Sequence, residues 1–134
     1  MSESALRGSC LCGAVRYALD LPLVRFTHCY CSRCRKATGA ARASNLAVAP
    51  SQFRWLAGSE SISRYDLPSA RSFATAVCRH CGCPVPHVTR SGREIIVPAG
   101  SLDAEPPHGP QRHDQWSSRA GWVSEDEQHL PREE

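Results

Sequence analysis

Lysine and methionine are almost missing from this chain, and so is any long apolar run. Lys36 is the only lysine among sixteen lysine and arginine residues, and Met1 is the only methionine. The shortage of lysine reads as a coding bias of the source rather than as chemistry. No stretch approaches the ~18 apolar residues of a membrane-spanning helix, and residues 1–7 contain no apolar core of the secretory type. These absences predict a cytoplasmic protein with no membrane partner. Blocks of one charge are absent too: sixteen basic residues against thirteen acidic ones leave +3 at pH 7. That balance argues against a nucleic-acid partner, since the longest basic cluster is only Arg33-x-Arg35-Lys36. A mild positive excess suits a small anionic ligand. Hydrophobic residues make up 41% of 134 residues, a thin supply for the core of one domain, and bound metal can supplement such a core.

What the chain has in excess is cysteine. Its eight cysteines fall into three tight groups: Cys10-x-Cys12, Cys29-x-Cys31-x-x-Cys34 and Cys78-x-x-Cys81-x-Cys83. Zinc takes four ligands in a tetrahedron, and two cysteines one or two residues apart on a tight turn supply a pair of them. Gly13 follows the first pair and Gly82 follows Cys81, each able to adopt the positive φ that turns the backbone under a metal. A disulfide framework fits less well. A Cys-x-Cys ring is strained, and a reducing compartment disfavours disulfides. A redox reading of Cys78-Arg79-His80-Cys81 is weaker again, because that chemistry sits at the head of a helix and this segment lies between strands.

Between the cysteine groups the chain is punctuated by glycine and proline and reads as strands and turns. Val15, Tyr17 and Leu19 alternate with Arg16 and Ala18, the pattern of a half-buried strand. Further strands are predicted over 23–27, 41–48, 61–65, 73–77, 85–88 and 95–97. One short helix is predicted over 31–38, closed by Gly39. Residues 106–110, with three prolines, form a loop. Trp116 and Trp122 are expected to pin the C-terminal segment to the body, and residues 125–134 to fray, leaving an ordered core of about 8–124. Phe53, Trp55 and Phe73 read as core residues.

Four motifs in this order resemble the glutathione-dependent formaldehyde-activating enzyme family, to which S-(hydroxymethyl)glutathione synthase belongs. They are Gly8-Ser9-Cys10-Leu11-Cys12-Gly13-Ala14-Val15-Arg16-Tyr17, then Cys29-Tyr30-Cys31-Ser32-Arg33-Cys34-Arg35-Lys36-Ala37-Thr38-Gly39, then Cys78-x-x-Cys81-Gly82 with Pro84. Gly100-Ser101-Leu102-Asp103, followed by His113, Trp116 and Trp122, completes the set. The resemblance covers nearly the whole chain and implies an all-β fold of small coiled sheets, a β-tent built around zinc knuckles. It also implies two zinc ions per chain. Cys10, Cys12, Cys78 and Cys81 would hold a structural zinc, and Cys29, Cys31 and Cys34 a second. The implied activity is that of a carbon–sulfur lyase or synthase acting on an adduct of glutathione, or another thiol, such as S-hydroxymethylglutathione.

A three-cysteine zinc keeps a fourth position for substrate, whereas a four-cysteine zinc does not. Cys83 therefore matters: it stands where relatives often carry a small polar residue, and it is the possible fourth ligand of the second site. Arg33, Arg35 and Lys36 are candidate contacts to an anionic thiol substrate, or else a solvated face. His28, His80 and His87 lie near cysteines but read as neighbours that bond to the backbone rather than to metal. His113 and Asp114 read as structural, with proton transfer the alternative. A different class of function stays open, a non-catalytic zinc-ribbon-like module that binds a protein or nucleic acid. A closed second site would favour it, and an open one the enzyme.

Overall fold

A computed structural model describes residues 5–133; residues 1–4, which begin the N-terminal segment read above, and residue 134 lie outside the described part. The all-β expectation holds. Ten short strands and one α-helix are present among the described residues: β1 (Ala5–Ser9), β2 (Arg16–Asp20), β3 (Arg25–Cys29), α1 (Ser32–Thr38), β4 (Ala43–Val48), β5 (Phe53–Ala57), β6 (Ile62–Asp66), β7 (Ala74–Cys78), β8 (His87–Val88), β9 (Ile95–Pro98) and β10 (Arg112–Asp114). They form a three-stranded sheet β1-β2-β5, a five-stranded sheet β10-β3-β4-β9-β8 and a two-stranded ribbon β6-β7. Every pairing is antiparallel except β10 with β3. The one α-helix has seven residues, and no described helix is long and apolar enough to cross a membrane.

Two apolar clusters hold these pieces together. The larger one joins the first two sheets through Leu6, Tyr17, Leu19, Phe26, Leu46, Val48, Ile95 and Val97. Tyr17 and Leu19 point inward as their alternation with Arg16 predicts, though Ala18 is buried as well, so β2 is covered on both faces at its centre. The Tyr17 ring lies across Gly8, where an added Cβ would meet its hydroxyl oxygen at 2.1 Å. That oxygen shares a 2.6 Å hydrogen bond with Ser101 Oγ. The smaller cluster gathers Val15, Ala76 and Val85 around Cys10 and Cys78, so thiols supply part of the packing there.

Several expectations shift for local reasons. The strand expected at 85–88 shrinks to His87–Val88, because Pro84 and Pro86 have no N–H to donate. Val85 instead donates its N–H to the Ala76 carbonyl and is buried in the smaller cluster. Pairing of the strand expected at 23–27 begins only at Arg25, after the turn containing Pro22. β1, β5 and β10 are additions: β1 contains Gly8, β5 is an edge strand with an exposed centre, and β10 is a polar edge. Trp55 is 37% exposed on that edge and is not a core residue, whereas Phe53 is half-buried and stacks on Tyr17. Trp116 packs edge-on against Tyr30 at 4.9 Å, as a pin should. Trp122 does not, being 71% exposed.

Candidate active site and metal centres

The first four-cysteine group forms where two turns meet. The turn between β1 and β2 carries Cys10 and Cys12, and is closed by hydrogen bonds from Gly13 N to Cys10 O and from Cys10 N to Val15 O. The turn after β7 carries Cys81 and is closed by Gly82 N on Cys78 O and Cys78 N on Cys83 O. Gly13 and Gly82 both have positive φ, 81° and 74°, as the expected backbone turn requires. The four sulfurs of Cys10, Cys12, Cys78 and Cys81 all lie within 4.8 Å of one another. Two of the separations are 3.6 Å and 3.8 Å. A tetrahedron with Zn–S bonds of ~2.3 Å has edges of ~3.8 Å, so the donor set fits such an ion. A disulfide does not fit, since it needs ~2.05 Å. Val15 N–H and His80 N–H donate to the Cys10 and Cys78 sulfurs, each at 3.3 Å. Cys81 is drawn down to about 6, first by the backbone N–H of Cys12 and then by that of Cys83.

The second group forms at the junction of β3 and α1. Cys29 ends the strand, Cys31 is the N-cap of the helix and Cys34 lies in its first turn, with the three sulfurs within 4.8 Å of one another. Cys31 Sγ accepts the N–H of Cys34 at 3.3 Å, so one residue both caps the helix and faces its two partners. Burial is the largest influence on Cys31 and pushes its thiol up. Hydrogen bonds from the Cys34 and Arg33 N–H groups and the neighbouring thiols outweigh it and leave it below its ordinary value. Burial pushes the Cys29 and Cys34 thiols up. Helix α1 ends where expected, at Gly39.

Cys83 does not join this second group. Its thiol lies 3.8 Å from the Cys81 carbonyl oxygen, and its ionisation is opposed by burial and by the Cys81 thiol beside it. The short chain Cys81-Gly82-Cys83 ties it to the first knuckle, so it is not positioned as a fourth ligand of the Cys29, Cys31 and Cys34 group.

The three-sulfur group opens into a cleft of about 880 Å³. Thr27, Cys29 and Arg25 of β3 face it, as do Asn45 and Ala47 of the neighbouring β4. Of the three basic residues expected here, only Arg33 lines the cleft. Arg35 donates to the backbone carbonyls of Tyr30 and Ser118, so it fastens the C-terminal segment to the site, and Lys36 is not among the lining residues. Two arginines not singled out by sequence take their places, Arg25 and Arg71. Arg25 is held by Glu94 through two hydrogen bonds of 2.6 and 2.7 Å. Arg33 and Arg71 are exposed and have no ion-pair partner among the described residues.

His113 and Asp114 part company because neighbours on a strand face opposite sides. Asp114 lines the cleft opposite Cys29, and its carboxyl is held below the usual range by Arg112. His113 faces the other side, where its Nδ1 shares a 3.0 Å hydrogen bond with the Tyr30 hydroxyl and its ring stacks on His28 at 5.8 Å. Arg42 donates to the same Tyr30 oxygen at 2.9 Å. His28 is drawn down to about 4 by burial, then by Arg42 and His113. His28 is thus bonded to Ser44 Oγ and His80 to Ser61 Oγ, side chains rather than the backbone carbonyls expected. Gln115, another cleft residue that sequence did not mark, is the one described non-glycine residue with positive φ, 55°, and turns the chain so that Trp116 reaches Tyr30.

Fold and site together define a class: a protein of small coiled sheets with two cysteine groups that could hold metal, one closed by four sulfurs and one of three beside a cleft. The comparisons agree. The profile of the family "Glutathione-dependent formaldehyde-activating enzyme" matches residues 5–119. A Halomonas elongata protein called "Putative glutathione-dependent formaldehyde-activating enzyme" is 33% identical over 129 residues, covering 88% of this chain and 79% of its own. A crystal structure of a Rhodobacter sphaeroides protein superposes with a TM-score of 0.63 at 28% identity, covering 80% of this chain and 98% of that one. The chain belongs to the glutathione-dependent formaldehyde-activating enzyme family.

Proposed function

We propose that the protein is a zinc-dependent carbon–sulfur lyase or synthase that breaks or forms the bond between a thiol, glutathione, and an aldehyde carbon, as in S-hydroxymethylglutathione. Cys10, Cys12, Cys78 and Cys81 would hold a structural zinc, and Cys29, Cys31 and Cys34 a second. The observation that carries the reading is that the second group has three sulfurs, with no fourth cysteine beside them, in the wall of the cleft. A closed four-cysteine centre would have favoured the non-catalytic module instead. When bound there, zinc supplies an open ligand position and lowers the pKa of a thiol, which is then a nucleophile or a leaving group at neutral pH.

The rest of the work falls to the chain. In the forming direction the S–H bond breaks, a C–S bond forms and the proton ends on the former carbonyl oxygen, so no oxidant or reductant is needed. Arg33 and Arg71 are free to bind the carboxylates of the thiol. Asp114, kept ionised by Arg112, can accept a hydrogen bond from the adduct hydroxyl but is a poor proton donor. Reduced thiols in this number suit the cytoplasm, and no nucleic-acid partner is part of the reading.

Metal analysis of the native protein and of Cys31→Ser tests it, together with the exchange rate between formaldehyde and glutathione followed by NMR. Two zincs falling to one, with faster exchange for the native protein alone, are expected. Two zincs retained in Cys31→Ser would overturn the ligand assignment, and no acceleration by the two-zinc native protein would overturn the activity.

A further inference from the structure

A second cavity, of about 250 Å³, adjoins the cleft. Cys34, Asn45, Phe73, Ala74 and His87 border both spaces, so the two meet beside the three-sulfur group. Their chemistry differs. The cleft displays Arg25, Arg33, Arg71 and Asp114, whereas no Arg, Lys, Asp or Glu lines the smaller cavity. Its walls are built from Ala37, Ala43, Ala76 and Val85, and the room exists because these side chains are short.

Two of the polar side chains at its edge, Ser44 and Thr38, are engaged elsewhere, and Asn45, Thr75 and His87 also border it. Ser44 Oγ shares a 2.8 Å hydrogen bond with His28 Nδ1, and Thr38 Oγ1 donates to the Cys34 carbonyl at 2.9 Å. Burial draws His87 down to about 4, so its ring is neutral at pH 7. An apolar cavity of roughly 150 Å³ is enough to bind benzene in a protein interior. A hydroxymethyl group contributes a single carbon and would leave most of this space unfilled.

We infer that the side cavity binds an apolar substituent, a short alkyl or small aryl group, on the aldehyde-derived carbon of the adduct, so that adducts of larger apolar aldehydes are substrates. The inference rests on the thiol-adduct reading for its reaction but not for its binding site, and the two can fail separately. Arg33 and Arg71 would hold the charged end in the cleft while the apolar end turns past Cys34 and Phe73. Each methylene buried should tighten binding about fourfold until the cavity is full.

The test uses the zinc-loaded full chain with ¹³C-labelled alanine methyl groups and n-pentanol as the first probe. Pentanol should shift the methyl signals of Ala43, Ala74 and Ala76, and Ala37→Phe should abolish the shifts by filling the cavity from its exposed helical rim. Ala37→Leu, a milder change that keeps a good helix former, should weaken them. Calorimetry with S-methyl- to S-hexylglutathione is the second arm, expected to show the stepwise tightening in the native protein and a flat series in Ala37→Phe. No pentanol shifts at these methyls, or a flat alkyl series in the native protein despite binding of its first member, would overturn the inference. Pentanol shifts without binding of any glutathione derivative would support the cavity and remove glutathione from the proposed function.

Discussion

The two cysteine groups are made from the same residue and sit differently in the fold. The first is joined by two turns far apart in sequence, and Cys10 and Cys78 belong to an apolar cluster with Val15, Ala76 and Val85. The second is local, spanning Cys29 to Cys34, and its sulfurs face a cleft. One group lies in the packing and would crosslink distant chain through a bound metal; the other decorates a strand–helix junction that the large apolar cluster already supports. Sulfur count leaves one group closed and the other open to a further ligand. A second difference is how much of the fold depends on the sulfurs being held together.

Removing one cysteine from each group measures that dependence. Cys78 is fully buried, so Cys78→Ser places an unpaired hydroxyl in an apolar cluster and would break the proposed zinc crosslink between two turns. Structural zinc sites contribute on the order of 10 kcal/mol of folding free energy, as much as the stability of an ordinary domain. Loss of the cooperative melting transition, seen by circular dichroism, is the expected outcome. Cys31→Ser should instead leave a cooperative transition within a few degrees of the native one, because serine still caps α1 and the first group is untouched. Equal collapse of both variants would erase the distinction and make both groups structural.

The cleft side is sharpened by its arginines. Arg33→Ala and Arg71→Ala should each raise the KM for the thiol adduct about tenfold, with both zincs retained and kcat little changed, as the loss of a charge-assisted hydrogen bond worth ~1.5 kcal/mol predicts. Arg35→Ala should do the opposite. It should lower the melting temperature, since its guanidinium bonds the carbonyls of Tyr30 and Ser118, and leave KM near the native value. A KM effect at Arg35 equal to that at Arg33 would return Arg35 to the site.

The contrast between the groups was partly legible in sequence. Spacing marked three cysteine groups, the family resemblance divided them into a set of four and a set of three, and glycines at 13 and 82 marked the turns, because a tight turn under a metal needs a backbone conformation that few other residues adopt. Alternation found β2, and glycine closed α1. What escaped was long-range. Nothing in the run Pro68-Ser69-Ala70-Arg71 distinguishes Arg71 from the other arginines, since only the meeting of the β6-β7 ribbon with the larger sheet brings it to the cleft. Cys83 was ambiguous for the same reason, as only the fold sets how far the Cys29, Cys31 and Cys34 group lies from the knuckle that holds it. Trp122 and Trp55 misled because a large aromatic reads as core from one sequence, while Trp55 lies on an edge strand and Trp122 beyond the last strand, both facing solvent. β5 and β10 lack the alternation that reveals a half-buried strand, being edges with little burial of their own.

The smallest expected effect distinguishes the cleft wall from the knuckles by pH. His87 borders the cleft, and its imidazole is lowered from 6.5 to about 4, first by burial and then by Arg64. Below pH 6.5 the unfolded chain takes up a proton at His87 that the folded chain refuses, so stability falls as pH falls through the window from about 6.5 to about 4 and is level beneath it. Between pH 7 and about 5.5 this one group should cost the native protein about 1 kcal/mol, a shift of a few degrees in melting temperature. Acid also protonates thiols and releases metal, which would steepen the same profile from the cysteine side. His87→Gln separates the two, because it removes the histidine contribution and leaves both cysteine groups intact. The variant should lose about 1 kcal/mol of the pH dependence over that interval at unchanged zinc content. An identical profile in native and variant protein would remove His87 from the acid sensitivity and leave it to His28 and the cysteines.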